Sequence, residues 1–295
     1  MTNIMMKSTS EVNFINDKIM DFLTKWAGIT VITFLIIILY FVAIVLTDKI
    51  YDDPTTIFLL SLFAKLCVFE IGGNLFCLKY CAKFNHVANW KHYMGSKKIQ
   101  KDIVYKGCGK CVLKVPHRSH HCPICDYCVL RKDHHCHLTG TCVGIANQRY
   151  FICFLFWISF SLAIAIPHLL YLLAAEKSAS GVLTALVSIG TFKLTESSTR
   201  GIWLAAVSTF LTIIWSCATG FVGFQIYYVC KGYSEQEYEY YRKYFDGDGE
   251  TVGERLRLIF GEYWALNFIL PLPWRPNKLT PSIVENIFRT KWKDV

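Results

Sequence analysis

The chain has 295 residues, of which 53% are hydrophobic, 15% aromatic and only 18% charged, with 31 Lys and Arg against 22 Asp and Glu. An ordinary soluble domain carries roughly 25% charged residues, and a mean hydropathy of +0.33 means more apolar surface than one soluble core absorbs. Disordered, collagen-like and low-complexity chains are excluded, which leaves an integral membrane protein with a modest polar portion.

A hydrocarbon layer about 30 Å thick takes about 20 apolar residues in a helix, because lipid offers no partner to an unpaired backbone group. Four stretches meet that length: residues 26–47, with no charge; 56–77, interrupted by Lys65 and Glu70; and 150–173 and 202–229, both free of Asp, Glu, Lys and Arg. The first is too long and begins too far into the chain for a signal peptide, and reads as a retained anchor. Residues 181–192 are apolar but too short to span, and are expected in a loop. Glu70 and Asn74 share a helix face beside Gly72 and Gly73, a pattern that packs helices closely and more often serves structure than chemistry. Pro167 predicts a kink in the third span.

Lys and Arg number three before the first span, one in residues 48–55, thirteen in 78–149, three in 174–201 and ten after 229. Cytosolic loops keep the basic excess, so residues 78–149 and the tail are expected in the cytosol, with both termini there as well. The net charge of +9 suits anionic headgroups or an anionic substrate. No basic stripe interleaved with aromatics forms a nucleic-acid module.

Within that loop, residues 108–142 hold seven of the thirteen Cys and six of the nine His, in the order Cys108-x2-Cys111, His117, His120, His121-Cys122-x2-Cys125-x2-Cys128, Asp133-His134-His135-Cys136-His137 and Cys142. A cytosolic compartment disfavours disulfides, whereas repeated C-x2-C steps suit tetrahedral zinc. Two Cys3His sites consume six of the seven cysteines. A four-ligand zinc has no open position, so the metals would be structural and the spare thiol reactive. Cys136 is the candidate, because His134 can take its proton and Asp133 can orient that imidazole. The spacing equally allows His134 and Cys136 to be zinc ligands or packing residues.

The pattern C-x2-C-x4-P-x-R-x2-H-C-x2-C-x2-C-x4-D-H-H-C-x5-C-V-G-x2-N-x3-F over residues 108–151 resembles the cysteine-rich domain of the DHHC protein S-acyltransferases (palmitoyltransferases). The resemblance implies a mostly α, polytopic fold: four transmembrane helices, with a small zinc-stabilised, hairpin-rich cytosolic domain between the second and third. It divides the chain into 1–77 (N-terminal segment and two helices), 78–149 (zinc domain), 150–229 (two helices) and 230–295 (cytosolic tail). One zinc ion would use Cys108, Cys111, His121 and Cys128; the other would use Cys122, Cys125, His135 and Cys142. Cys136 would be the acylated nucleophile, His134 its base and Asp133 the residue holding the base, while Asn147 and Phe151 occupy family positions at the start of the third span.

The activity implied is transfer of a long acyl chain from acyl-CoA (palmitoyl-CoA) to Cys136, then to a cysteine of a cytosol-facing or membrane-associated protein. Golgi or endoplasmic reticulum is the implied membrane. Lys114, Arg118 and His120 are candidates for meeting the CoA phosphates, although a solvated basic face explains them equally well.

In the tail, Glu237 matches the family's T-T-x-E motif and Ser234 stands for its first Thr, while Arg255 stands where Asn is usual. After Cys136 the family's Pro-Trp and a following Asn are replaced by His137, Leu138, Gly140 and Thr141. These departures slightly favour an alternative, a catalytically weak or inactive zinc-finger membrane scaffold that recruits partners.

Overall fold

A computed structural model describes residues 50–89, 103–175, 199–261 and 263–269, with scattered positions between 19 and 41 and residues 287–288. Helix α1 (Pro54–Ala82) starts where Asp53 caps it: its carboxylate accepts hydrogen bonds from the amide and hydroxyl of Thr56, at 2.8 and 2.7 Å. Pro54, in the first turn, lacks only an amide hydrogen that no helix bond needs. Helices α2 (Gln148–Ala175) and α3 (Thr199–Lys231) are the other long elements.

At 1.5 Å per residue all three exceed 40 Å, more than the roughly 30 Å of hydrocarbon to be crossed. Among the described residues, three helices are long and apolar enough to span a membrane. The expected span at 26–47 and the apolar run at 181–192 fall wholly or largely outside the described residues. Each of the three described spans is longer than expected by two to five residues at either end, because helix bonding continues past the apolar stretch into the polar interface.

The chain forms two compact units, 1–32 with 73–153 and 224–295, and 33–72 with 154–223. In the second unit Glu70 is fully buried and Lys65 exposed. Tyr51 donates to His168 Nε2 at 3.1 Å, a tautomer set by the bond from His168 Nδ1 to the Ile164 carbonyl at 2.8 Å. Ser159 and Thr219 hydroxyls meet at 2.6 Å.

The first unit holds three antiparallel hairpins: β1 (Tyr105–Cys108) with β2 (Leu113–Pro116), β3 (His120–Cys122) with β4 (Tyr127–Val129), and β5 (His134–Cys136) with β6 (Thr141–Val143). They share one construction. Cys108, Cys122 and Cys136 each end an outgoing strand, opposite Leu113, Tyr127 and Thr141. The residue before each return strand has positive φ: Val112 at 53°, Asp126 at 59° and Gly140 at 61°. Only the third turn uses the residue that adopts this conformation without cost.

Three-residue strands cannot stand alone, and polar clamps tie them to the helices. Asn147 accepts from Asn85 Nδ2 at 2.7 Å and from the Gly144 amide at 2.9 Å, and donates to the carbonyls of Leu78 and Cys142 at 3.1 and 3.0 Å. Beyond α3, Gly232 (φ 81°) ends the helix with Tyr233 N bonded to Tyr228 O and Gly232 N to Val229 O, the paired bonds that close a helix on a left-handed glycine. A Cβ there would strike the backbone of Asp248, whose amide donates to Gly232 O at 2.8 Å.

Helix α4 (Glu235–Tyr240) opens with a capping box between Ser234 and Glu237. Helix α5 (Val252–Phe260) opens with one between Thr251 and Glu254. A short helix α6 (Trp264–Ile269) follows. Arg255, in the place of the usual Asn, donates to the carbonyls of Asp248, Gly249 and Cys230 at 2.9, 3.2 and 2.5 Å. In the tail, Tyr240 and Tyr244 are exposed.

At the centre of this unit Arg118 and Arg131 meet Glu237 and Asp248, all four buried. Arg118 binds Glu237 with two bonds of 2.6 and 2.7 Å, Asp248 with two of 2.5 and 3.0 Å, and the carbonyl of Ile287 at 2.5 Å. Arg131 adds a bond to Asp248 at 2.9 Å. Burial pushes the Glu237 carboxyl up, but the two guanidinium groups prevail and hold it down at about 2. A depressed carboxylate contributes stability that is complete above its ordinary value near 4.5 and is lost as the pH falls toward 2. Arg118→Ala leaves two buried carboxylates short of charge, and is expected to cost about 3–5 kcal/mol, read as a lower melting temperature of the detergent-solubilised protein.

Candidate active site and metal centres

The hairpins set the metal centres. Cys108, Cys111, His121 and Cys128 form one group and Cys122, Cys125, His135 and Cys142 another, with all donor atoms of each within 4.8 Å of one another. These are the eight residues, in the same two sets, that the resemblance implies.

A tetrahedron with Zn–S near 2.3 Å and Zn–N near 2.0 Å has edges of about 3.5–3.8 Å. The observed edges are 3.3 Å for Cys111 Sγ to His121 Nδ1, 3.6 Å for Cys111 to Cys128, 3.3 and 3.5 Å from His135 Nδ1 to Cys125 and Cys142, and 3.6 Å for Cys125 to Cys142. The amides of Cys111 and Cys125 point at the sulfurs of Cys108 and Cys122, both at 3.4 Å, as suits thiolates carrying negative charge. Both sites fit Zn2+ with four protein ligands and no open position. Cys122→Ser is expected to lower bound zinc from two ions to one per chain, measured by elemental analysis of the purified protein.

The third hairpin repeats the plan with one substitution. Cys136 stands where Cys108 and Cys122 stand, but Thr139 occupies the place of the second cysteine. Cys136 belongs to neither metal group. It is 8% exposed, and the buried Thr139 hydroxyl lies within hydrogen-bond reach of both the Cys136 carbonyl, at 3.4 Å, and the Cys136 sulfur. Thr139 follows Cys136 by three residues, as Cys111 follows Cys108 and Cys125 follows Cys122, and the hairpin register confirms the equivalence.

His134 Nδ1 donates to Asp133 Oδ2 at 2.9 Å, and His134 is hydrogen-bonded to Cys136. Burial disfavours charge on the imidazole, yet Asp133 and the thiolate outweigh it and push His134 up to about 10. Burial likewise opposes ionisation of Cys136, and the bonds from His134 and Thr139 overcome it, holding the thiol below its ordinary value. The upward shift of His134 and the downward shift of Cys136 both favour imidazolium and thiolate over the neutral pair. Phe151 meets the His134 ring edge-on at 4.9 Å.

Asp133 is buried and saturated. Besides His134 it accepts Gln225 Nε2 at 2.8 Å, the Glu235 amide at 2.7 Å and Gln148 Nε2 at 3.5 Å. Burial raises a carboxyl's pKa, but these donors, led by His134, keep Asp133 below its usual range. Gln225 and Gln148 were not singled out in the sequence. The available signal was an amide side chain near the end of each apolar helix.

The expected CoA-binding residues are redistributed. Arg118 is a correction: its guanidinium is buried among Glu237, Asp248 and Ile287, with nothing left to offer a phosphate. His120 is half-buried, with its ring against Tyr241, and burial and Lys106 push it down to about 3. Lys114 is exposed on β2. Leu138, in the place of the family's Trp, is met closely by Gly28, where a side chain would collide with the Leu138 carbonyl.

The fold and site define a membrane-embedded protein with a buried thiol beside a pair of four-ligand metal centres. Residues 102–243 match the family model described as DHHC palmitoyltransferase. The chain is 30% identical over 128 residues to palmitoyltransferase ZDHHC7 of Mus musculus, covering 38% of this chain and 41% of that protein. It is 30% identical over 146 residues to palmitoyltransferase PFA3 of Saccharomyces cerevisiae, covering 50% and 40%. To the probable protein S-acyltransferase 2 of Arabidopsis thaliana it is 26% identical over 213 residues, covering 67% and 48%. The chain thus spans less than half the length of these relatives. Residues 102–243 are similar to the DHHC palmitoyltransferase family.

Thr139→Val keeps the side-chain shape and removes the hydroxyl. Hydrogen bonds to charged groups are worth about 1.5–3 kcal/mol, so the variant is expected to slow alkylation of Cys136 by iodoacetamide about tenfold with zinc unchanged. Mass spectrometry of the Cys136 peptide measures that rate.

Proposed function

We propose that this chain is a protein-cysteine S-palmitoyltransferase that carries a long acyl group from acyl-CoA to Cys136 and on to a cysteine of a membrane-apposed protein. The observation that carries the proposal is the one loop cysteine left outside two saturated metal groups, hydrogen-bonded to an imidazole that a buried carboxylate holds.

The first step follows from that arrangement. The Cys136 thiolate attacks the thioester carbonyl and forms a new C–S bond. The CoA sulfur leaves and takes the proton from the His134 imidazolium. In the second step His134 removes the proton from the substrate cysteine, whose sulfur attacks the acyl–Cys136 thioester. Cys136 departs as a thiolate, and the resting ion pair is restored. Asp133 keeps the Nδ1 proton in place throughout, which fixes the tautomer and stabilises the charged ring. Two Zn2+ ions, held by the eight residues named above, keep the hairpins in shape and take no part in either transfer.

The thiol precedes α2 by only twelve residues, so Cys136 lies near the membrane surface. An acyl chain gains about 0.8 kcal/mol for each CH2 kept from water, which favours a pose with the chain among the helices and the CoA headgroup in the cytosol. Lys114 remains the side chain proposed to meet its phosphates. Residues 26–47 supply the fourth span, both termini face the cytosol as the basic excess of 78–149 and the tail supports, and the resemblance favours Golgi or endoplasmic reticulum.

Incubation of the purified protein with palmitoyl-CoA is expected to give a hydroxylamine-labile adduct on Cys136. Cys136→Ser should abolish both the adduct and transfer to a substrate cysteine, a loss of more than about a thousandfold. Full transfer by that variant would defeat the reading, and a scaffold would show no adduct in the wild type.

A further inference from the structure

A second carboxylate stands at the His134 ring. Glu235 Oε2 lies 3.5 Å from His134 Nδ1, on a side chain 41% exposed. Asp133, Glu235 and His134 thus bring two carboxylates and one imidazole within 4.8 Å.

Glu235 is not there by the swing of a loose side chain. Its amide donates to Asp133 Oδ1 at 2.7 Å. The preceding Ser234 donates its hydroxyl to the Lys132 carbonyl at 3.1 Å, and its amide donates to Glu237, which is in turn bound by Arg118. The backbone of Glu235 is therefore pinned to both residues that flank it in space, Lys132 and Asp133. Its carboxylate is placed on the solvent side of the ring, while Asp133 takes the buried side. Two negative groups this close repel, and burial together with Asp133 raises the Glu235 carboxyl. A positively charged ring between them offsets that repulsion.

We infer that Glu235 is a positioning residue for the acyl transfer, a second, outer carboxylate that flanks His134 Nδ1 and holds the ring turned toward Cys136. The inference rests on the proposed palmitoyltransferase reading. It concerns a residue that acts through His134 and touches no substrate atom. Asp133 alone supplies one bond to Nδ1, about which the ring can rotate. A second negative group off that axis restricts the rotation and leaves Nε2 facing the thiol.

The test compares the full chain with Glu235→Gln and Glu235→Ala, using palmitoyl-CoA as acyl donor. A half-exposed ion pair supports a change of about three- to fivefold. Both variants are expected to lower the maximal rate of Cys136 acylation by that factor, with KM for palmitoyl-CoA unchanged within twofold and two zinc ions retained. Glu235→Asp, which keeps the charge, should recover part of the loss. Alkylation of Cys136 by iodoacetamide should slow in parallel in the Gln and Ala variants.

Wild-type rates in the Gln and Ala variants overturn the inference. So does a loss that comes with a matching rise in KM or with departure of zinc, since either marks a disturbed helix start. If the wild type forms no acyl adduct, the palmitoyltransferase reading fails, and the alkylation rates still decide whether Glu235 acts on the His134–Cys136 pair.

Discussion

A single buried carboxylate organises the unit that holds the hairpins. Asp133 receives His134 from its own hairpin, Gln148 from the start of α2, Gln225 from α3 and the Glu235 amide from the start of α4. An ionised carboxylate without partners is too costly to bury. Asp133 is tolerable only while all of these elements converge on it, and that convergence fixes the carboxylate to which His134 Nδ1 is bonded. The same carboxylate therefore joins the fold of the unit to the chemistry of its thiol.

The second constraint is electrostatic closure among Arg118, Arg131, Glu237 and Asp248. Two positive and two negative groups cancel inside a volume that water does not reach, and each guanidinium uses its planar fork against carboxylate oxygens. Removing one member leaves its partners charged and unpaired, which costs more than the intact network contributes. The network also explains why Arg118 sits in a motif full of metal ligands. It attaches the hairpins to the tail.

The three hairpins account for a free thiol among so many ligands. In the first two, the turn brings a second cysteine back to the first, and its amide points at the first sulfur. In the third the turn is kept and the second cysteine becomes Thr139. A site built for a metal-bound thiolate thus retains its hydrogen-bond donors while losing its metal. Cys136 inherits an environment that favours the charged sulfur, with the His134 imidazolium in place of the metal's positive charge.

Much of this was legible along the chain because it is local. Apolar runs long enough to cross a bilayer are contiguous, and ligands separated by two residues meet across one turn, so the three described spans and the eight clustered donors followed from spacing and resemblance. Cys136 stood out by subtraction, and His134 and Asp133 by adjacency. Arg118 did not follow, since its partners Glu237 and Asp248 lie 119 and 130 residues away, and a guanidinium beside zinc ligands reads equally well as a solvent-facing cation. Gln225, Arg255 and Glu235 were obscure for the same reason. Their partners are brought near by helix ends and hairpin register, which no short-range periodicity encodes. Sequence alone determined which atoms were available for chemistry. Tertiary packing decided which of them are buried, charged and aimed at one another, because burial and long-range pairing are properties of the folded chain.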